Sequence, residues 1–170
     1  MLTIVEAVGS ASANSFVSVA EADLYLEARL NSSLWTGTEP KKAALIEAAR
    51  ELSALRWQGH RADATQALSW PRANAPDPDG ISDYVYFDTT EIPQRIKDAQ
   101  CELALEFLRA GTTDIAGADQ NAGVIQKTVD VLTTVWSPGQ RPQGLARYPR
   151  VQKLIAPLLG IGSAQVRLTR

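Results

Sequence analysis

Cysteine and histidine are nearly absent from this chain of 170 residues, which has one of each. A structural zinc site usually takes four cysteine or histidine ligands, and a disulfide framework needs pairs of cysteines. The sequence therefore excludes both within one copy, and a single thiol fits a reducing compartment. A chain of this length buries roughly 70% of the surface that it exposes when unfolded, so a hydrophobic core alone can stabilise it.

Long apolar runs are missing as well. No window of the sequence approaches the roughly 18 uninterrupted apolar residues of a membrane-spanning helix. The first residues lack a basic stretch and reach the acidic Glu6 early, unlike a secretory signal. We therefore expect no secretory signal and no membrane partner.

The motifs of catalysis and nucleotide binding are also absent. His60 has no G-x-S-x-G nucleophile to act on, and Cys101 lies in an apolar segment where a thiol packs inertly. Neither a Walker loop nor a G-x-G-x-x-G run occurs. The sequence thus predicts a protein that is not an enzyme and has no catalytic residue, metal or cofactor.

Charge is distributed unevenly along the chain. Residues 1–114 hold 17 of the 19 acidic and 10 of the 17 basic residues, a net charge of −7. Residues 115–170 hold 2 acidic and 7 basic residues, a net charge of +5. This asymmetry predicts a basic region that meets a negative partner, which could be nucleic acid, a membrane surface or an acidic protein face.

Apolar spacing predicts three helices, at about 18–30, 40–57 and 93–109, and a last amphipathic segment from Pro149. In the first helix the apolar stripe continues to Leu30. The third helix is apolar on two sides, so we expect it to be central. A serine at 18 and a glutamate at 21 form a capping-box pattern at the start of the first helix.

The regions between these helices complete the predicted architecture. Residues 59–91 are rich in proline and lack periodicity, which predicts a long loop, and β-branched residues at about 124–136 predict one long or two short strands. The fold class is therefore mainly α, a small helical bundle with an added β-strand or hairpin and an extended C-terminal tail. We expect one helical domain at 1–159 and a docking tail at 160–170.

Two patterns leave alternatives open. Acidic residues repeat along the third helix at Asp98, Glu102 and Glu106, and form either a solvated face or a stripe that meets arginines on a neighbour. Tryptophan and arginine alternate at Trp57, Arg61, Trp70 and Arg72, as in surfaces on which nucleotides stack. Such tryptophans are more often hydrophobic anchors for loops.

Four sequence blocks resemble a known family in content and order. They are the runs at 13–26 (ANSFVSVAEADLYL), 55–59 (LRWQG), 66–72 (QALSWPR) and 92–104 (IPQRIKDAQCELA). Together they are similar to the head-to-tail connector proteins of tailed bacteriophages. The same family also bears the label of a DnaT-like single-stranded DNA-binding protein.

The resemblance implies a virion structural protein at the head–tail junction, made in the host bacterial cytoplasm. It would form a homo-oligomeric ring of about twelve copies between the portal protein and a neck, stopper or tail protein. Genomic double-stranded DNA would pass through the ring without sequence-specific binding. The alternative function is that of a single-stranded DNA-binding protein.

The resemblance and the charge pattern together predict three groups of functional residues. Docking to the portal is expected from Arg150, Lys153, Arg167, Leu168 and Arg170. Contacts between subunits are expected from Asp98, Glu102, Glu106, Tyr84, Tyr86 and Phe87. A structural role within the family motifs is expected for Trp57, Trp70, Pro71 and Arg72.

Overall fold

A computed structural model describes six stretches of the chain: residues 1–30, 32–82, 85–111, 126–129, 132–135 and 147–160. These residues are mainly helical, as predicted. The helices are α1 (Val19–Glu27), α2 (Thr38–Ser53), α3 (Gln94–Ala110) and α4 (Pro149–Ile155). The strands are β1 (His60–Arg61), β2 (Arg72–Ala73), β3 (Gln126–Val129) and β4 (Leu132–Val135).

Helix α3 is the centre of the core, which confirms the prediction from its two apolar sides. It packs against α2 and α4 and also contacts α1. Ile96, Ala99 and Leu103 are fully buried, and Cys101 and Leu105 are almost so. Burying each large aliphatic side chain stabilises the fold by about 2 kcal/mol, so α3 organises the remaining elements.

A buried glutamine joins the N-terminal segment to α3. The Gln100 side chain accepts a hydrogen bond from the Phe16 amide at 2.9 Å and donates to the Ser15 hydroxyl at 2.7 Å and the Leu45 carbonyl at 2.8 Å. These bonds satisfy its amide within the core, where an unpaired polar group is costly. They fix the entry to α1 against α2 and α3.

Helix α1 begins as predicted and ends earlier. The Glu21 amide donates to the Ser18 hydroxyl at 3.1 Å, and the Ser18 amide donates to the Glu21 carboxylate at 2.9 Å, which completes the capping box. The helix stops at Glu27, so Leu30 lies beyond it and is 89% exposed. The predicted apolar stripe therefore ends at Leu26.

The 59–91 region is not simply a loop, because it contains the antiparallel pair β1–β2. His60 pairs with Ala73, and Arg61 pairs with Arg72. Gly59 precedes the pair with a positive φ of 67°, a backbone conformation that favours glycine. Helix α2 ends at Ser53, before the predicted 57, because the chain then turns toward this pair.

The β segment predicted at about 124–136 contains two short strands. Strands β3 and β4 pair antiparallel from Gln126 with Val135 to Val129 with Leu132. Helix α4 begins at Pro149 and continues into a short 3₁₀ turn. The predicted tail lies outside the described residues except for Gly160, whose amide donates to the Arg56 carbonyl at 2.9 Å.

Candidate nucleic-acid interface

Three aromatic rings pack edge to face in succession. The Trp57 and Trp70 ring centroids lie 5.8 Å apart, and those of Trp70 and Phe87 lie 5.7 Å apart. Trp57 is 5% exposed and Trp70 is 1% exposed. A base cannot stack on faces that are already covered, so these tryptophans are hydrophobic anchors for the 59–91 region.

Arg72 fastens the same region through backbone carbonyls. Its Nε donates to the Gln58 carbonyl at 2.6 Å, its Nη2 to the Gly59 carbonyl at 2.7 Å and its Nη1 to the Ser69 carbonyl at 3.1 Å. Burial, together with the nearby charge of Arg61, lowers the pKa of the Arg72 guanidinium from its ordinary value. Arg72 thus links Gln58 and Gly59, at one end of the segment, to Ser69 at the other end. The Trp70–Pro71 peptide just before Arg72 is cis.

Arg61 faces Arg72 directly across the two strands. Its Nη1 donates to the Gln66 carbonyl at 3.2 Å, and the residue as a whole is exposed. Within the stretches that the structure describes, neither arginine has a carboxylate partner. Like charges placed opposite each other in a strand pair repel, so an anion bound here would relieve that cost. We call Arg61 and Arg72 the hairpin arginines.

The end of α4 adjoins the hairpin arginines through one glutamine. Gln58, whose carbonyl accepts from Arg72, donates through its side chain to the carbonyls of Pro157 at 3.0 Å and Leu159 at 3.1 Å. Lys153, in the last turn of α4, is exposed. The residues just after α4 and Arg72 therefore both contact the backbone or side chain of Gln58.

The acidic residues of α3 do not form one exposed stripe. Glu102 is only 5% exposed, and its carboxylate accepts from the Tyr25 hydroxyl at 2.9 Å and pairs with the Arg29 Nε at 2.9 Å. Arg150, itself 64% exposed at its side chain, lies 4.0 Å from the same carboxylate. Glu102 thus joins α1, α3 and α4 of one chain, which regular spacing in the sequence does not reveal.

The other residues expected between subunits lie in varied settings. Asp98 accepts from the Gln94 side chain at 2.7 Å, and Glu106 pairs with Arg109. Tyr86 is 49% exposed, whereas Phe87 is half-buried against Trp70. Four predicted residues lie outside the described stretches: Tyr84, Arg167, Leu168 and Arg170.

The residues considered for catalysis lie apart from one another. His60 is exposed on β1, whereas Cys101 is buried in α3, and burial raises the pKa of its thiol to about 12. No group of three or more potential metal-binding side chains occurs among the described residues. In that same part of the chain, no helix is long and apolar enough to cross a membrane.

The fold and the hairpin arginines define a small, mainly helical domain with a basic strand pair at its surface. A family model described as "Putative DnaT-like ssDNA binding protein" matches residues 1–170. The chain belongs to this family. No curated protein and no solved structure gives a significant match.

Proposed function

We propose that the protein binds single-stranded DNA, with the hairpin arginines contacting phosphates. Membership of the DnaT-like family over the whole chain supports this function. The arginines at 61 and 72 are cross-strand neighbours without carboxylate partners in the described part of the chain, and guanidinium groups form strong charge-assisted hydrogen bonds with phosphate oxygens. The family match is the observation on which the proposal chiefly depends.

Binding of this kind is electrostatic and not based on stacking. The tryptophans that could have formed a stacking platform are buried. A net charge of −2 keeps the affinity modest, since most of the surface repels a phosphate backbone. Contacts to phosphates carry little sequence information, so we expect similar affinity for different single-stranded sequences.

Fluorescence anisotropy with a labelled oligo-dT strand tests the role of Arg61. Arg61→Gln should weaken binding several-fold and reduce the slope of log K against log salt by about 0.7, the value for one lost phosphate contact on a single strand. Arg50→Gln is the matched control, because Arg50 is exposed on α2 and pairs with Glu47. Equal affinity in both variants would exclude the hairpin arginines as the binding site.

A second function, that of a virion adaptor, is favoured by exposed leucines. Leu24 on α1 is 71% exposed, and Leu30 and Leu34 just beyond it are 89% and 48% exposed. Exposed apolar side chains grouped in one part of a small protein often mark an interaction surface. A neighbouring copy in a ring would cover them.

In this second function the chain forms a ring at the head–tail junction of a bacteriophage. The ring would lie between the portal protein and a neck, stopper or tail protein, with double-stranded DNA passing through it. The exposed Arg150 and Lys153 of α4 would face the portal. Twelve copies would match the ring that the sequence resemblance implies.

The mass of the assembly distinguishes this function from that of a monomeric DNA binder. An adaptor should form, alone or with portal rings, a particle many times heavier than one 18.4 kDa chain. Leu24→Gln with Leu30→Gln should abolish the particle, whereas Ile81→Gln, at a residue 102% exposed in another segment, should leave it intact. A monomer in every mixture with portal would contradict the adaptor function.

A further inference from the structure

A groove of about 640 Å³ lies between the N-terminal segment, the stretch before α3 and the first turn of α3. Among its apolar lining residues, Phe16 and Ile92 are buried and Phe87 is half-buried, whereas Val8 is 49% exposed. The volume lies within the roughly 300–1,000 Å³ that is usual for ligand sites. The groove is therefore large enough to hold several side chains of a bound segment.

Hydrogen bonds fix the N-terminal wall of the groove. The Asn14 side chain accepts from the Val5 amide at 2.8 Å and donates to the Thr3 carbonyl at 2.9 Å. The segment held in this way continues directly to Glu6 and Val8, which both line the groove.

The stretch before α3 is held in place as well. The Asp77 amide donates to the Val85 carbonyl at 2.9 Å, and the Phe87 amide donates to the Ala75 carbonyl at 3.0 Å. The Phe87 ring also packs against Trp70. The groove is thus formed before anything binds to it, and a preformed site loses less conformational entropy on binding.

The groove carries an excess of negative charge. Its charged lining residues are four carboxylates and one lysine, a net charge of −3. Lys97 pairs with Glu21 at 2.8 Å. In the part of the chain that the structure describes, no basic side chain pairs with Glu6, Asp77 or Glu91.

These carboxylates are spread along the groove and are not gathered at one point. No group of three or more acidic, histidine or cysteine side chains that could hold a metal ion occurs among the described residues. A ligand that neutralises the groove must therefore carry several positive charges some distance apart, as an extended basic peptide does. The same negative charge repels a phosphate backbone, which favours a protein over a nucleic acid as the partner.

We propose that the groove binds an extended segment of another protein in which basic and apolar residues alternate. In an extended chain the apolar side chains lie on one side, where they contact Val8 and Phe87. Lysine and arginine have long flexible stems, so their charged ends reach Glu6 and Glu91. The complementary charge sets the orientation of the segment. This inference does not depend on either proposed function.

Fluorescence anisotropy with a labelled synthetic peptide, GKVKLKVG, tests the proposal on the full-length chain. Glu6→Gln with Glu91→Gln should weaken binding by about fivefold or more, because two carboxylates that meet lysines are lost. The matched control, Glu27→Gln with Glu47→Gln, removes two carboxylates outside the groove and should bind like the unmodified chain. Glu6 and Glu91 are exposed, so we expect the variant to fold, and a thermal midpoint checks this.

Two further peptides separate the contribution of charge from that of apolar contact. GEVELEVG keeps the apolar residues and reverses the charges, whereas GKSKSKSG keeps the charges and replaces the apolar residues by serine. Both should bind several-fold more weakly than GKVKLKVG. Val8→Ser should weaken the binding of GKVKLKVG as well, because it removes an exposed apolar contact of the groove.

Three results would overturn the proposal. The first is the absence of saturable binding of GKVKLKVG to the unmodified chain at low salt. The second is equal affinity in the groove variant and its matched control, which would place the peptide elsewhere on the surface. The third is equal affinity for GKSKSKSG, which would show that any positively charged molecule binds.

Discussion

Gly59 lies where two parts of the backbone approach each other most closely. A Cβ atom at this position would lie 2.3 Å from the Ala73 carbonyl oxygen and 2.8 Å from the Ala75 nitrogen, and φ is +67°. Gly9 has a similar φ of +71°, but nothing lies within 4 Å of its Cβ position. Replacing each glycine by alanine therefore separates two costs. At Gly9 only the left-handed backbone is unfavourable, whereas at Gly59 a steric clash is added.

We predict that Gly59→Ala lowers the free energy of unfolding by about 3 kcal/mol or more, whereas Gly9→Ala lowers it by about 1 kcal/mol. The second value is the ordinary cost of a side chain at positive φ, and the difference is the clash with β2. Urea denaturation of both variants measures the two values. Equal losses would show that the close approach at Gly59 does not contribute to stability.

Glu102 is the most consequential charged residue of the core. Glu102→Gln removes the charge that Arg29 pairs with, and we expect a loss of about 3 kcal/mol, because one partner of a buried pair is left uncompensated. Glu106→Gln on the same helix should cost less than about 1 kcal/mol, since its pair with Arg109 is more exposed. Thermal unfolding compares the two; similar midpoints would contradict a buried ionic role.

Alkaline pH should destabilise the fold through buried neutral groups. Burial raises the pKa of the Cys101 thiol to about 12 from an ordinary value of 9.0, and it raises the pKa of Tyr25 as well. The unfolded chain loses these protons first, so the stability is fully present below pH 9 and is lost as pH rises toward 12. For the buried Cys101 thiol the loss approaches about 1.4 kcal/mol per pH unit between these two pH values.

Urea denaturation at pH 8 and pH 10.5 measures this loss. Cys101→Ala removes the thiol, so its stability should fall less between the two pH values than that of the unmodified chain. Cys101→Ala also leaves a cavity in the core, which lowers the stability of the variant at pH 8. The role of the thiol is therefore judged only from the change in the free energy of unfolding between the two pH values. An equal fall in both chains would contradict the assignment to Cys101.

At the scale of single elements, α1 depends on its capping box. Ser18→Ala removes the acceptor of the Glu21 amide and should lower the free energy of unfolding by about 1 kcal/mol. Ser33→Ala, in the exposed turn after α1, is the control and should change stability by less than about 0.5 kcal/mol. Circular dichroism during thermal unfolding measures both, and equal midpoints would contradict a stabilising cap.

The sequence predicted where helices occur better than where they end. Periodic apolar residues identified α1, α2 and α3, because each buries one face or more in a shared core. The end of α2 was misplaced, since Trp57 continues the local pattern but is held by contact with Trp70. The pair β1–β2 could not be predicted, because two-residue strands depend on hydrogen bonds from Arg72 that close a turn of fourteen residues.

At the scale of the whole molecule, the net charge of each part of the sequence does not show which charged side chains are available to a partner. That depends on which of them pair within the folded chain. Several carboxylates of the acidic part are neutralised within the chain, including Asp23 by Lys41, Glu21 by Lys97 and Asp79 by Arg95. The hairpin arginines, by contrast, lie in the acidic part of the sequence. Total charge per segment could not predict this site, because it depends on which side chains find partners after folding.

The alternation of tryptophan and arginine in the sequence includes the residues of the candidate site but leaves their roles open. Sequence alone does not distinguish an exposed stacking ring from a buried anchor, since both favour aromatic residues beside basic ones. The burial of Trp57 and Trp70 resolves this choice. The central claim, which rests on the proposed function, is therefore that the hairpin arginines bind DNA electrostatically.

The salt dependence of oligo-dT binding tests this claim most directly. We predict measurable binding at low salt, with log K falling linearly against log salt at a slope of about −1.4 or steeper, as two phosphate contacts require. Trp70→Phe should leave that slope unchanged as long as the chain stays folded. Absence of binding at low salt, or binding that does not depend on salt, would contradict the account.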